Sequence, residues 1–428
     1  MTGGTPRERL SVASWCLYDW ANSAFNTVIG TFIFSVYFAR GIVGDETAGS
    51  AQWATAMGLA GVGVAIAAPL LGAVADQGRG RRPWLAFTIA ITVLACAALW
   101  FAEPAPRFAV PALTLAVIAT IAHELSAVVY NAMLPGVAAP ERLGRISGWG
   151  WGIGYLGGLA CLAATLFLLV GLGESGGLLG IPQENAANVR ASAILVALWM
   201  GLFSSPILLF ARDPGGAGLP LGGAVRAGLG SLWRTLKQLP RHGQVLRFLI
   251  ASALYRDGLG TLFAVGGLYA AGTFGMAFDQ ILIFAIGLNV TSGLGAILFG
   301  WVDDRAGSKN TVVYALLGLL AFGVPLLLID GAMWFIALAL ALGLFVGPAQ
   351  AASRSLMARL APPDLSTEFF GLYAFTGKAV AFAGPLAFGA LTSAFDSQRA
   401  GMTVIMVFWL AGLLILLRVR EPKKPAAM

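Results

Sequence analysis

Apolar runs of about twenty residues, the length an α-helix needs to cross the hydrocarbon core of a bilayer, recur from one end of this chain to the other. They fall at roughly 14–39, 51–75, 83–102, 108–135, 146–172 and 191–211, then at 245–273, 279–302, 311–330, 333–356, 367–394 and 401–418. Only "IDGAM" separates the ninth from the tenth. Of the 428 residues, 11% are charged and 58% hydrophobic, and the mean hydropathy is +0.81. A soluble domain carries about 25% charged residues, so this chain lacks the polar surface to fold in water. A membrane β-barrel would need alternating segments of about ten residues, and nothing here alternates that way. The expectation is an all-α polytopic membrane protein of twelve transmembrane helices, with the N-terminal apolar segment retained as the first span.

The net charge of +7 does not point to nucleic acid, because the basic residues fall in short loops between apolar runs. With both termini cytoplasmic, 21 of the 27 Lys and Arg lie inside, counting both tails and a loop at 354–366. Arg40, Arg107, Arg190 and Arg399 lie outside, and Arg256 and Lys378 fall within spans. That asymmetry obeys the positive-inside rule. Cys16, Cys96 and Cys161 all fall in spans, with no CxxC or Cys/His cluster, so neither a disulfide nor a metal centre is expected. No cofactor is expected either. The long interruption at 212–243 opens with the breaker-rich "RDPGGAGLPLGG". Val225, Leu229, Leu232, Leu236 and Leu239 then follow helical spacing, with Arg226, Arg234 and Lys237 on other faces. This reads as an amphipathic helix on the cytoplasmic membrane surface, or as a plain linker.

The chain repeats itself. "GAVAD" (72–76) is matched by "GWVDD" (300–304), and Pro140, Gly148 and Gly154 recur as Pro363, Gly371 and Gly377 at a constant offset. "LYDWANSAF" (17–25) parallels "LYRDGLGTLF" (254–263) with one residue inserted. Two six-span bundles of the same orientation (1–211 and 244–428, joined by 212–243) form a parallel repeat about an axis along the membrane normal.

That architecture resembles the major facilitator superfamily. "GAVADQGRGRRP" is similar to that superfamily's signature between spans two and three, with four residues where three are more usual between two of the conserved types. Gly72, Asp76, Arg79, Arg81 and Arg82, with Gly300, Asp304 and Arg305 in the second half, are the candidates for a cytoplasmic latch that closes in one conformation and opens in the other. A solvated basic cluster is the alternative. "LYDWANSAF", "VVYNAMLPGVAAPERLGRISGWGWGIGYLGG", "GPAQAASRSLMARLAPP" and "FFGLYAFTGKAVAFAGPLAFG" resemble, more closely, the vacuolar amino-acid effluxer family related to fungal autophagy and its bacterial members. The resemblance implies a transporter of a small-molecule substrate, not an enzyme. It also implies that spans one, four, seven and ten surround the cavity.

A charge at mid-bilayer costs at least about 2.5–3.5 kcal/mol on insertion scales, so the buried ones are the candidate pathway. Asp19, Asn22 and Asn26 form one helical stripe, and Thr120, Glu124 and Asn131 a second. His123, Tyr155, Tyr255, Arg256, Asp257 and Lys378 complete the set. Both signs together suit a zwitterion, with Lys378 or Arg256 receiving a carboxylate and Asp19 or Asp257 an ammonium. Glu124, Asp257, Asp19 and His123 are the candidates for coupling to H+. Static pairing, Asp19 with Arg256 or Glu124 with Lys378, is the competing account. Glycine stripes in spans five and eleven suit close, sliding helix contacts or tight static packing. A lipid or glycolipid translocator, a polytopic membrane enzyme and a non-transporting sensor are the other classes. "HEL" at 123–125 lacks the second histidine of HExxH, and no Walker motif is present. The expected setting is the bacterial cytoplasmic membrane, with a monomer as the working unit.

Overall fold

The computed structural model describes residues 5–171, 176–213 and 215–422. Pro214 in the linker and the tail lysines Lys423 and Lys424, which entered the charge count, lie outside the described residues. Twelve helices are long and apolar enough to cross a membrane: α1 (Pro6–Val43), α2 (Glu46–Gln77), α3 (Arg82–Phe101), α4 (Pro106–Ala132), α5 (Pro140–Val170) and α6 (Glu184–Phe210), then α7 (Gly243–Phe274), α8 (Ile283–Ala306), α9 (Ser308–Leu326), α10 (Ala332–Leu360), α11 (Pro363–Phe395) and α12 (Gln398–Leu417). Large side chains such as Leu59, Leu94, Leu198 and Leu298 are well exposed around the outside, as a lipid-facing surface requires. One boundary moves with consequence. Arg354, expected in a loop, sits inside α10 and is 3% exposed.

Local chemistry sets the helix ends. Thr5 and Glu8 form a reciprocal capping box at the start of α1, and Asp45 caps α2 through the Ala48 N–H. Two spans depart from regular α-helix at mid-length. α1 passes into a π-helical stretch at Phe25–Phe32, a departure that often marks a functional position. α11 breaks at Ala381–Phe382, between an α-helical half ending at Val380 and a second starting at Ala383.

One continuous core cluster draws residues from both halves, including Trp15, Tyr130 and Leu143 with Phe248, Leu356 and Phe369. A second, with Phe25, Phe38, Trp53, Cys96 and Met200, belongs to the first half alone. The halves therefore meet at one end of the bundle, where the basic loops lie. Hydrogen bonds between them extend from that basic end only as far as Tyr155–Gln350 and Lys378–Glu124 among the described residues. Glycines permit the contact. A Cβ on Gly148 would lie 2.3 Å from the Ala296 carbonyl oxygen, and one on Gly371 2.4 Å from that of Ala68. The α5–α8 and α2–α11 seams are thus backbone against backbone.

Candidate functional site

The sequence repeat reappears as paired geometry. Tyr18 of α1 shares a 2.5 Å hydrogen bond with Ser126 of α4, and Tyr255 of α7 shares one of the same length with Ser353 of α10. Both tyrosines are fully buried, so Tyr255 braces the second half and does not reach a cavity. These pairs fix the register of α1 on α4 and of α7 on α10, and so set the height of every charge beside them.

Asp19, next to Tyr18, does not meet Arg256. Its Oδ2 accepts from Arg354 Nη1 at 2.9 Å, because the long Arg354 side chain reaches in from α10 past Gly150 of α5. Arg354 also donates to Asn131 Oδ1 (3.3 Å), Ser147 Oγ (2.9 Å) and the Ser147 carbonyl (2.7 Å). Its guanidinium lies over the rings of Trp15, Tyr130 and Trp151, with centroids 4.6, 5.5 and 5.6 Å away. Four donors satisfied and three π faces around one cation is what a buried arginine needs to remain charged. This cluster ties α1, α4 and α5 of the first half to α10 of the second.

Higher in the bundle, Lys378 Nζ donates to Glu124 Oε1 at 2.7 Å, with the two side chains 32% and 28% exposed. This is the pairing considered from the sequence. At 1.5 Å per residue, Lys378 is about 18 Å along α11 from Ser366, whereas Arg354 is about 9 Å along α10 from Leu360. The two ion pairs thus form successive levels above the basic end. Arg256 lies beside the upper level. It donates to the Tyr373 carbonyl (3.2 Å) and stacks on the Tyr373 ring at 4.1 Å. It has no carboxylate within salt-bridge distance among the described residues. Tyr155 Oη reaches Gln350 at 3.4 Å, also across the interface.

Asp257 does something the sequence did not suggest. Its Oδ2 accepts the Gly384 N–H at 2.9 Å, at the second residue of the outer half of α11, so it caps the helix that restarts after the break. Gly384 is needed there, since a Cβ would fall 1.9 Å from Thr261 Oγ1. Asn26 Nδ2 lies 3.2 Å from His123 Nε2. His123 is 2% exposed and packs on Phe25, where the π-helical stretch begins. Asn22 Oδ1 is buried with no hydrogen-bond partner among the described residues.

At the basic end, the two copies of the glycine–aspartate motif do the same thing in opposite halves. Asp76 accepts from Thr367 N (3.2 Å), Thr367 Oγ1 (2.6 Å) and Glu368 N (2.8 Å), at the first turn of α11, and from Arg81 Nη2 (3.0 Å). Asp304 accepts from Arg145 N (3.2 Å) and Nε (3.0 Å), at the first turn of α5. Each aspartate therefore caps a helix of the other half, where backbone N–H groups and the helix dipole favour an anion. Gly72 and Gly300 let those turns approach. Their Cβ atoms would lie 2.3 Å from the Thr367 oxygen and 2.9 Å from Arg145 Cα. Arg79 and Arg305 are exposed and stand apart from this arrangement. Arg82 turns instead to the end of α6, donating to the Ala211 carbonyl.

A further repeat went unread. Asp213 of "RDP" caps α3 through the Arg81 and Arg82 N–H groups (3.0 and 2.9 Å). Glu421 of "REP" caps α9 through Ser308 and Lys309 (3.2 and 2.9 Å) and pairs with Arg359, which also binds Asp303.

The family profile described as "Vacuole effluxer Atg22 like" matches residues 40–427. The chain belongs to the Atg22-like family. This Atg22-like chain is 25% identical over 420 residues to the uncharacterized MFS-type transporter YxiO of Bacillus subtilis, covering 95% of this chain and 94% of that one. It is 26% identical over 310 residues to autophagy-related protein 22-1 of Aspergillus fumigatus. That match covers 66% of this chain and 49% of the fungal protein, about half its length. Among solved structures, the human organic anion transporter MFSD10 superposes with a TM-score of 0.74 at 15% identity, covering 96% of this chain and all of that one. The proton:xylose symporter XylE gives 0.72 at 14% identity, covering 98% and 97%. The Atg22-like chain is a multi-pass membrane transporter of the major facilitator superfamily, not an enzyme.

Proposed function

We propose that this Atg22-like transporter moves a small zwitterion, an amino acid being the best fit, by alternating access, with its basic end in the cytoplasm. The observation that carries the reading is the upper level of the site. Arg256 has no acidic partner there among the described residues and can receive a carboxylate, while the partly exposed Glu124–Lys378 pair beside it can exchange partners. A substrate ammonium would take Glu124 and its carboxylate would bridge Arg256 and Lys378, so every charge stays paired. Arg354 already engages Asp19 and the Gly384 N–H engages Asp257, which favours Glu124 over both as the ammonium ligand. The effluxer family and the MFS-type relative support transport as such.

The interface contacts support a state shut at the basic end and open at the other. Closing the outer end around substrate would draw the outer half of α11 inward about the break at Ala381–Phe382, and opening the basic end would release Asp76 and Asp304 from the helix starts they cap. The inner bacterial membrane suits this orientation by the positive-inside rule.

Counterflow of a radiolabelled amino acid in proteoliposomes tests the reading. Arg256→Ala is expected to lose exchange by about a hundredfold, the effect of removing one charge-assisted contact, while folding normally. Exchange at the wild-type rate would refute it. If a proton moves with the substrate, Glu124 is the group that carries it. Glu124→Gln should then lose the dependence of uptake on a pH gradient, and its residual counterflow, weakened because an amide is a poorer ammonium ligand than a carboxylate, should no longer respond to pH. Gradient-driven uptake by Glu124→Gln would rule out that coupling.

A further inference from the structure

The helix Leu221–Gln238 in the linker does not present the two faces expected of it. It has three. Ala224, Gly228, Ser231, Leu232 and Thr235 are buried against the protein. Next to them around the helix runs a stripe of exposed apolar side chains: Leu221 (65%), Val225, Leu229, Trp233 (61%) and Leu236. Beyond that lie Arg226, Arg234 and Lys237, all exposed and none within salt-bridge distance of a carboxylate among the described residues. Lys237 folds its ammonium over the Trp233 ring at 4.8 Å. Of the apolar set read from the sequence, Leu232 is buried and Leu239, just past the helix, packs against the core, while Val225, Leu229 and Leu236 face outward.

The buried face is tied to the lock. Ser231 Oγ donates to Glu368 Oε2 at 2.8 Å, and the Glu368 N–H is one of the donors to Asp76. Gly228 lies so close to α2 that a Cβ would sit 3.0 Å from Ala73 C and Val74 Cα. Just upstream, Ala217, Gly218 and Leu219 donate to the carbonyls of Asp76, Gly78 and Gln77 (3.0, 2.8 and 3.2 Å). The helix is therefore clamped across α2 and the first turn of α11, with one apolar face left over.

We propose that this face is seated in the leaflet on the basic side of the membrane, with Arg226, Arg234 and Lys237 on anionic phospholipid headgroups, and that this seating holds the Asp76 lock shut. An apolar stripe bordered by basic residues, at the ends of membrane-spanning helices, matches a headgroup–acyl boundary in both polarity and charge. Each basic residue near an anionic surface raises its partition roughly fivefold. Lipid and lock are linked because Glu368 touches both the helix and Asp76. A lipid that binds the shut state more tightly than the open one must favour the shut state by that same factor. The proposal rests on the basic-end gate argued above.

Cys16, Cys96 and Cys161 are buried, so engineered cysteines can be labelled selectively. The full chain carrying Leu229→Cys, spin-labelled, in nanodiscs of phosphatidylcholine with added phosphatidylglycerol, is expected to be accessible to oxygen and shielded from a water-soluble nickel chelate. Labels at Arg79→Cys and Asp364→Cys, both exposed and in opposite halves, report the width of the basic end by electron–electron distance. Phosphatidylglycerol should enlarge the short-distance population severalfold. Reversing Arg226, Arg234 and Lys237 to Glu should remove that response. Ser231→Ala should leave the Leu229 label buried but weaken the response. A chelate-accessible label, an undiminished response in the charge-reversed variant, or the same response from inorganic phosphate in pure phosphatidylcholine would overturn the proposal. Asp76→Ala separates the two readings. If it widens the basic end while lipid does nothing, only the lipid coupling fails. If it does not widen that end, the gate reading fails as well.

Discussion

Arg354→Ala is expected to abolish counterflow and to destabilise the purified transporter by about 3–5 kcal/mol, the cost of leaving one member of a buried pair uncompensated. The stranded group is Asp19, whose side chain is 13% exposed, and Ser147 and Asn131 lose their donor with it. Asp19→Asn is the milder change. Arg354 would keep both bonds to Ser147 and its three ring contacts, and the loss should be about 1–3 kcal/mol. Arg354→Lys should not rescue transport, because one ammonium cannot replace a planar fork that serves Asp19, Asn131 and the Ser147 carbonyl together. Thermal unfolding of the single and double variants in one detergent gives the coupling energy. A strong cycle, above about 1 kcal/mol, is expected of residues in direct contact. Additive effects would mean that the pair does not tie α1 to α10.

Much of this was legible in the residues, and what was missed has identifiable causes. Twelve spans followed from apolar run length alone, because the bilayer sets that length. The repeat of "GAVAD" as "GWVDD" pointed to Asp76 and Asp304 as equivalents, and both cap a helix of the opposite half. What they cap was not legible, since a backbone N–H has no signature in a sequence. Arg354 escaped because "AASRSLMARLAPP" reads as a span end, where positive charge is ordinary. The signal that could have placed it was the repeat itself. The offset that pairs Pro140 with Pro363 also pairs Asn131, within α4, with Arg354, so Arg354 had to lie equally deep in α10. Asp257 was read as a ligand because the sequence does not show that α11 breaks at Ala381–Phe382 and needs an anion at its restart. The linker helix was read as having one apolar face on the membrane surface; its second, protein-facing side was not legible, because it is built from the small residues Ala224, Gly228 and Ser231, which carry little hydropathy signal.

Asp76→Ala is expected to shift the conformational equilibrium toward an open basic end by one to two orders of magnitude, and to do so more strongly than Asp304→Ala. Asp76 accepts two backbone N–H groups, the Thr367 hydroxyl and Arg81, with both charged side chains at most 4% exposed. Hydrogen bonds to a charged group contribute about 1.5–3 kcal/mol each, and most of this sum is offset by the cost of burying the ions. A net bias of about 1.4–2.7 kcal/mol, or ten- to a hundredfold, is what remains. Arg145, which binds Asp304, is 32% exposed, so solvent screens that copy and its bias should be smaller. Asp76→Asn discriminates further. It keeps one acceptor oxygen for the first turn of α11 but loses the charge that favours the helix N-terminus and Arg81. It should fall between wild type and alanine. The distance between labels at positions 79 and 364 reads all four proteins on one scale. The expected order of increasing width is wild type, Asp304→Ala, Asp76→Asn and Asp76→Ala. Equal widths for the two alanine variants would show that burial does not set the strength of these caps. An unchanged width in both would show that the basic end is held by the glycine seams and not by its aspartates.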